Sequence, residues 1–165
     1  MAQTASIAAK QFATFLSDSE NGIAPAVSKL AADSGIALAA IPPGQIISQN
    51  VPAAIAERAA AVKYPVVHVY SNRVRNSLTE KFRKFSGKIQ TVAEVRVSQD
   101  RMEGLEDQTR LYVDAVTQVL DSNRGSWGQG MFYAGGYEVA FEPVQQGGKN
   151  LMQVARVTFE VDLSS

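Results

Sequence analysis

Residues 151–163 read LMQVARVTFEVDL, and this stretch decides the fold class. From residue 155 onward, apolar side chains occupy every second position and polar side chains occupy the positions between them. The apolar residues are Ala155, Val157, Phe159, Val161 and Leu163. A period of two over nine residues is typical of a β-strand that buries one face and leaves the other in water. The stretch is therefore predicted to be a long half-buried strand, and the rest of the chain must supply its neighbours and its cover.

Three further stretches are predicted to be strands. Residues 65–70 (PVVHVY) form a dense β-branched run, and residues 89–98 (IQTVAEVRVS) alternate between apolar and polar side chains. Residues 131–144 form another strand, in which the glycine pair at 135–136 predicts a bulge or bend. The glycines of VQQGGKN, residues 144–150, predict the turn of a hairpin that leads into the final strand.

The strongest helical pattern covers residues 102–120, where apolar side chains recur every three or four positions. Shorter helices are predicted at residues 4–17, 23–32 and 52–62. The order of elements predicts an α+β fold, in which an antiparallel sheet of about four strands carries the long helix on one face. A helical N-terminal third, residues 1–62, precedes this β-β-α-β-β core, residues 63–165, and all 165 residues form a single domain.

The composition is that of an ordinary globular chain with no global charge. Apolar residues make up 45% of the 165 residues, and sixteen basic side chains balance sixteen acidic ones. This balance argues against a general attraction to nucleic acid or to a membrane surface, and the apolar runs are too short to span a bilayer. The first sixteen residues lack the dense apolar core of a signal peptide, so we expect the protein to remain where it is synthesised.

No pattern in the sequence predicts an enzyme, a cofactor or a metal ion. The chain has no cysteine, and its one histidine, His68, lies inside a strand, where a hydrogen-bonded structural role is the commoner one. Glu103, Glu106 and Asp107 cluster at the start of the long helix, where carboxylates favour the positive end of the helix dipole. The glycines of residues 125–130 follow a helix and precede a strand, which is the reverse of the order in phosphate-binding loops.

Residues 73–88 are the one local charge anomaly. They hold six basic side chains against Glu80 alone, a net charge of +5. The pattern fits a solvated hairpin tip, or a contact surface for an acidic partner or for nucleic-acid phosphates. Two phenylalanines lie among the cations, which suits docking on a protein surface or stacking on bases. The candidate assembly-contact residues are Arg73, Arg75, Lys81, Phe82, Arg83, Lys84 and Phe85.

Several stretches together resemble a family of tailed-bacteriophage morphogenesis proteins. They are the strand YPVVHVY, the basic stretch NRVRNSLTEKFRKFSG, the strand and helix QTVAEVRVSQDRMEGLEDQTRLYVDAVTQVL, and the closing hairpin. The nearest group is the tail terminator, or tail-completion, proteins of long-tailed phages, with their neighbours in the head–tail neck. The resemblance covers about residues 60–165. It depends on the order of elements and not on a catalytic motif.

The resemblance implies a structural protein of the virion tail or neck, assembled in the cytoplasm of the host bacterium. Such proteins form a ring, usually of six copies, which caps the finished tail tube and offers a surface to the connector below the capsid. The implied partners are further copies of the chain, the tail tube protein and the head–tail connector. Neither a membrane nor a specific nucleic acid is implied, and no catalytic residue is carried over.

Two alternatives to a terminator ring stay open at this point. Another neck component, such as a head-completion connector, fits the same resemblance. A monomeric α+β nucleic-acid-binding module would use residues 73–88, although a net charge of zero disfavours it.

For a ring, residues 73–88 are predicted to contact the next copy. A ring subunit needs two different surfaces that meet head to tail, and residues 94–114 carry a net charge of −3 that could face the basic segment. We expect residues 73–88 to be loosely held in the free protein, because their cations repel one another. They should become ordered when a neighbouring copy, or the tail tube itself, covers Phe82 and Phe85.

Overall fold

A computed structural model describes residues 4–59 and 62–165 as four helices and one sheet of eight strands. The helices are α1 (Thr4–Leu16), α2 (Ile23–Ser34), α3 (Ala53–Ala59) and α4 (Leu105–Ser122). The strands are β1 (Ile46–Ile47), β2 (Val66–Asn76), β3 (Ser86–Gln99), β4 (Gly125–Gly128), β5 (Met131–Tyr133), β6 (Glu138–Phe141), β7 (Gln145–Gly147) and β8 (Asn150–Ser164). A 3-10 turn, Pro43–Gln45, leads into β1.

The three long strands β2, β3 and β8 are antiparallel neighbours at the centre of the sheet. β1 joins the outer edge of β2 in parallel, so the sheet is mixed, and it curls into a half-barrel. On the other side of β8, the short strands β7, β6 and β5 follow one another along its length, and β4 lies outside β5. β8 is therefore paired on both sides over most of its length.

One face of this sheet forms the hydrophobic core. Every apolar residue of the alternating set in β8 is at most 2% exposed, and the matching residues of β2 and β3 are also buried. Helices α1 and α4 cover this face. Phe159 of β8 meets Phe12 of α1 in an edge-to-face contact with 5.0 Å between ring centroids. Trp127 of β4 stacks beside the same rings, so its indole closes one end of the core.

The opposite face of the central strands is polar and is only partly covered. It carries the side chains that alternate with the core residues, from His68 on β2 to Arg156 on β8. Residues 49–51 and α3 cover the part of this face near the start of β2 and the end of β3. The part next to the connection between β2 and β3 is open to solvent.

The predicted fold class is wrong. The sheet has eight strands, not about four, and it is a mixed, curled half-barrel with four short helices in place of an antiparallel sheet with one long helix on its face. The predicted helical N-terminal third is also wrong, because residues 35–52 contain no α-helix and supply β1 to the sheet. β1, β4 and β7 have two to four residues each, too few for a period of two to be visible in sequence.

Two boundaries differ for local reasons. The strand predicted at 131–144 is divided into β5 and β6, because Gly135 and Gly136 adopt φ values of 101° and 90° that stop strand pairing. The helix predicted from residue 102 begins at Leu105, since Gly104 precedes it with φ 78°. The helix predicted at 52–62 is α3, Ala53–Ala59, and residues 60 and 61 lie outside the described part of the chain.

The two faces of β8 predict a contrast between neighbouring residues. Replacing Phe159 by alanine should lower the free energy of unfolding by about 3–5 kcal/mol, because it empties a buried aromatic site. Thr158→Ala changes the adjacent residue on the polar face and should cost far less. Urea denaturation of both variants measures the difference. Equal losses would contradict the register of β8.

Candidate functional site

The predicted contact residues lie at one end of the antiparallel pair β2–β3. Arg73 and Arg75 are on β2, and the others lie in the connection between the strands, residues 77–85. We call residues 73–85 the hairpin surface. The strand register places the side chains of Arg73 and Arg75 on the polar face of the sheet, beside Gln90 and Lys88 of β3. All the predicted contact residues except Phe85 are exposed.

The connection between the strands is held by hydrogen bonds, in contrast to the loosely held segment that the charge run predicted. The side-chain oxygen of Asn76 accepts the backbone N–H groups of Leu78 and Ser86 at 3.2 and 3.1 Å. Phe85 exchanges two backbone hydrogen bonds with Ser165, at 3.0 and 2.9 Å. Both ends of the segment therefore belong to the sheet, and its tip is the part that projects.

The two phenylalanines of this segment have opposite environments. Phe85 is 8% exposed and belongs to the core, so the prediction that it waits for a neighbouring copy is wrong. Phe82 is 102% exposed and has φ 64°, and Leu78 is 58% exposed with φ 47°. A non-glycine residue in this region of backbone space is uncommon and costs about 1–3 kcal/mol. The tip thus holds two apolar side chains in water on an unfavourable backbone.

The cations of the hairpin surface are mostly without ion-pair partners. Arg83 lies 3.4 Å from Glu80, and both side chains are about half exposed. Lys88, at the base of β3, bridges Glu160 at 3.3 Å and Asp162 at 3.7 Å. Within residues 4–59 and 62–165, no ion pair involves Arg73, Arg75, Lys81 or Lys84. The surface therefore presents uncompensated positive charge around its apolar tip.

A second charged cluster is internal, and the sequence did not reveal it. Glu94 of β3 is 4% exposed and accepts hydrogen bonds from Arg96 at 2.6 Å and from Arg156 at 2.7 Å. Tyr70 donates its hydroxyl to the same carboxylate at 3.1 Å, and burial together with the negative charge of Glu94 raises the pKa of this phenol. Arg156 also pairs with Glu142 at the end of β6. One buried carboxylate thus joins β2, β3 and β8.

This cluster removes Glu94 and Arg96 from the predicted acidic contact stretch at residues 94–114, whose net charge of −3 is the same without this pair. Glu94 and Arg96 neutralise each other inside the subunit and are not available to a neighbouring copy. The signal that could have shown this is a pair of opposite charges two residues apart in a strand flanked by valines, which places both on one sheet face. A sum of charges over residues 94–114 does not detect that Glu94 and Arg96 lie on the same face of a strand.

His68 borders the same cluster. It is 2% exposed, with Nδ1 3.3 Å from the carbonyl oxygen of Gln49 and Nε2 3.3 Å from Arg96. Burial lowers the pKa of His68, and the positive charge of Arg96 lowers it further. The imidazole is therefore neutral near pH 7, packed between β1–α3 and the sheet, and is shielded from solvent.

The described residues contain no group of three or more histidine or carboxylate side chains placed to hold a metal ion. None of the described helices is both long enough and apolar enough to cross a membrane. Comparison with known protein families and with characterised proteins gave no match to either.

The environment of His68 predicts a pH dependence. Below about pH 6.5 the unfolded chain protonates His68, while the folded chain resists protonation because its pKa is lowered. The free energy of unfolding should therefore fall as the pH decreases from 7 to 5, by up to about 1.4 kcal/mol per pH unit. His68→Gln should flatten this slope, whatever its effect on overall stability. Parallel curves for the two proteins in chemical denaturation would contradict the prediction.

The two phenylalanines of the hairpin predict a second contrast. Phe85→Ala should lower the free energy of unfolding by about 3–5 kcal/mol, because it removes a buried ring. Phe82→Ala should leave that free energy nearly unchanged, because the ring is fully exposed and alanine keeps the Cβ that makes φ 64° unfavourable. Thermal and urea denaturation measure both. A large loss for Phe82→Ala would show that its ring is covered within the free subunit.

Proposed function

We propose that this protein is the tail terminator of a long-tailed bacteriophage. In this role it is a structural subunit of a ring that caps the tail tube and meets the head–tail connector. The proposal assigns it no catalytic step and no cofactor. Its place would be the tail or neck of the virion, after assembly in the host cytoplasm. The first support is the resemblance of residues 60–165 to this group of proteins.

The observation that carries the proposal is the hairpin surface. It holds Phe82 and Leu78 in solvent, at the end of a well-paired hairpin, among cations of which only Arg83 has an ion-pair partner in the described part of the chain. An isolated subunit gains nothing from this arrangement, since exposed apolar rings and strained backbone both lower its stability. A subunit that must bind a partner uses such a feature, because projecting apolar side chains supply contact area and the surrounding charge speeds encounter.

A test combines purified protein with tail tubes from a phage mutant that lacks it. Electron microscopy should show rings on the head-proximal ends of the tubes, and the capped tubes should stop growing and join filled heads. Phe82→Ala with Leu78→Ala should fold normally and lose capping at least tenfold. Thr14→Ala on α1, which is exposed and lies outside the hairpin surface, is the matched control.

Two outcomes would overturn the proposal. Tails of normal length that join heads in the absence of the protein would remove the terminator role. Rings found on the portal of the head and not on tubes would identify a head-completion connector in its place.

A further inference from the structure

We infer that successive copies of the chain join by β-strand addition, in which the free edge of β2 in one copy pairs with the free edge of β6 in the next. The inference rests on the proposed ring, and it names the two surfaces that meet. Strand addition to an exposed sheet edge supplies affinity through backbone hydrogen bonds and specificity through the alternating side chains. Both edges carry such a side-chain pattern.

The first edge belongs to the hairpin surface. β1 pairs with β2 only at Val67 and His68, and residues 72–76 of β2 are exposed. In the described part of the chain, no strand pairs with the outer edge of these residues. A bulge between Ser71 and Arg73 interrupts the regular pairing and bends the strand before this half. An exposed edge of this kind can receive another strand.

The second edge lies on the far side of the sheet. β6 pairs with β8, and no other described strand pairs with it. Its outer side exposes Phe141 at 44%, and Tyr137 just before it at 42%. Glu138 is exposed as well, and no described side chain forms an ion pair with it.

The side chains of the two edges match on both faces of the sheet. On the polar face, β2 presents Arg73 and Arg75, and β6 presents Glu138. On the core face, β2 presents Val74, 40% exposed, and β6 presents Val139 and Phe141. Opposite charges and apolar pairs across neighbouring strands both stabilise a sheet. Charges on edge strands also prevent unwanted pairing, but that purpose does not require opposite signs on the two edges.

The strand directions allow the same contact to repeat. β2, β3, β8 and β6 are successively antiparallel, so β2 and β6 run in opposite directions. A second copy in the same orientation therefore adds its β2 antiparallel to β6 of the first. Because the two edges differ, the contact is head to tail, the type that generates rings when the rotation closes.

A register that pairs the charges of the two edges is also compatible with closure. With Arg75 opposite Glu138 of the next copy, both arginines lie beside or diagonal to a carboxylate. Within one subunit, the pairing of β2, β3 and β8 aligns Arg75 with Asp162 of β8. Glu138 of β6 pairs with Thr158, which lies four residues before Asp162 on the same strand. The strand register would therefore be displaced by four residues from one copy to the next. Since each copy contributes four strands, the displacement is one residue per strand. The same ratio gives eight-stranded barrels of shear 8 a strand tilt of about 36°.

Cysteine cross-linking tests this contact directly, because the native chain has no cysteine. A variant with Arg73→Cys and Ala140→Cys, oxidised during assembly, should give a ladder of covalent dimers, trimers and larger species that ends at the ring. Within one subunit the two positions lie on opposite margins of the sheet, about 14 Å apart across three strand spacings and also four residues apart along the strands, which a disulfide cannot span. Lys29→Cys with Ala140→Cys is the control and should give no ladder.

Charge reversal supplies an independent readout. Arg75→Glu alone and Glu138→Arg alone should each lower the yield of rings at least tenfold while leaving the melting temperature unchanged. The double variant should recover assembly. An equal mixture of the two single variants should also recover it, because alternating copies then place opposite charges at every contact.

The outcomes separate this inference from the proposed function. A ladder with recovery by the mixed variants supports the contact. Rings that cap tubes but give no ladder, or that form equally well from both single variants, overturn the contact and leave the terminator role standing. A ladder together with normal tails in a phage lacking the protein supports the contact and removes the terminator role.

Discussion

The pairing of β3 with β8 is the constraint on which the rest of this structure depends. The two strands match over fourteen consecutive residue pairs, from Ser86–Ser164 to Gln99–Leu151, without a bulge. This register places the core residues of both strands under α1 and α4, and it places Glu94 opposite Arg156 on the other face. A slip of one residue would exchange the faces, burying Glu160 and Asp162 and exposing Phe159. The buried carboxylate of Glu94 adds to the penalty, because its partner Arg156 on β8 would then be displaced.

The long elements could be predicted from sequence because each contains several periods of its own pattern. β8 and α4 are examples, and the buried stripe of α4, from Leu105 to Leu120, is the one that the helical spacing indicates. The short strands could not be predicted in this way. β1 exists because two isoleucines meet the start of β2, and β7 because a hairpin turn returns three residues to β8. Such strands owe their conformation to a neighbour that local sequence does not specify.

The candidate site shows the same division between local and tertiary information. The run of cations at residues 73–88 was visible in the sequence, but Phe82 and Phe85 were indistinguishable there. They differ because Phe85 pairs its backbone with Ser165, eighty residues away, and this contact directs its ring into the core. The edge of β6 was missed for a related reason. Glu138 and Phe141 acquire significance only when the sheet order places them on the margin opposite Arg73 and Arg75.

The long separation between β3 and β8 also sets an order of events during folding. Their paired residues are 52 to 78 positions apart in the chain, so a large loop must close before these contacts form. The β2–β3 hairpin is local and can form early, whereas β6 has no strand to pair with until β8 docks. A newly made chain would therefore carry one joining edge before the other exists. In the proposed assembly, such an incomplete subunit could end a growing row of copies but could not extend it, and this would limit premature polymerisation of half-folded chains.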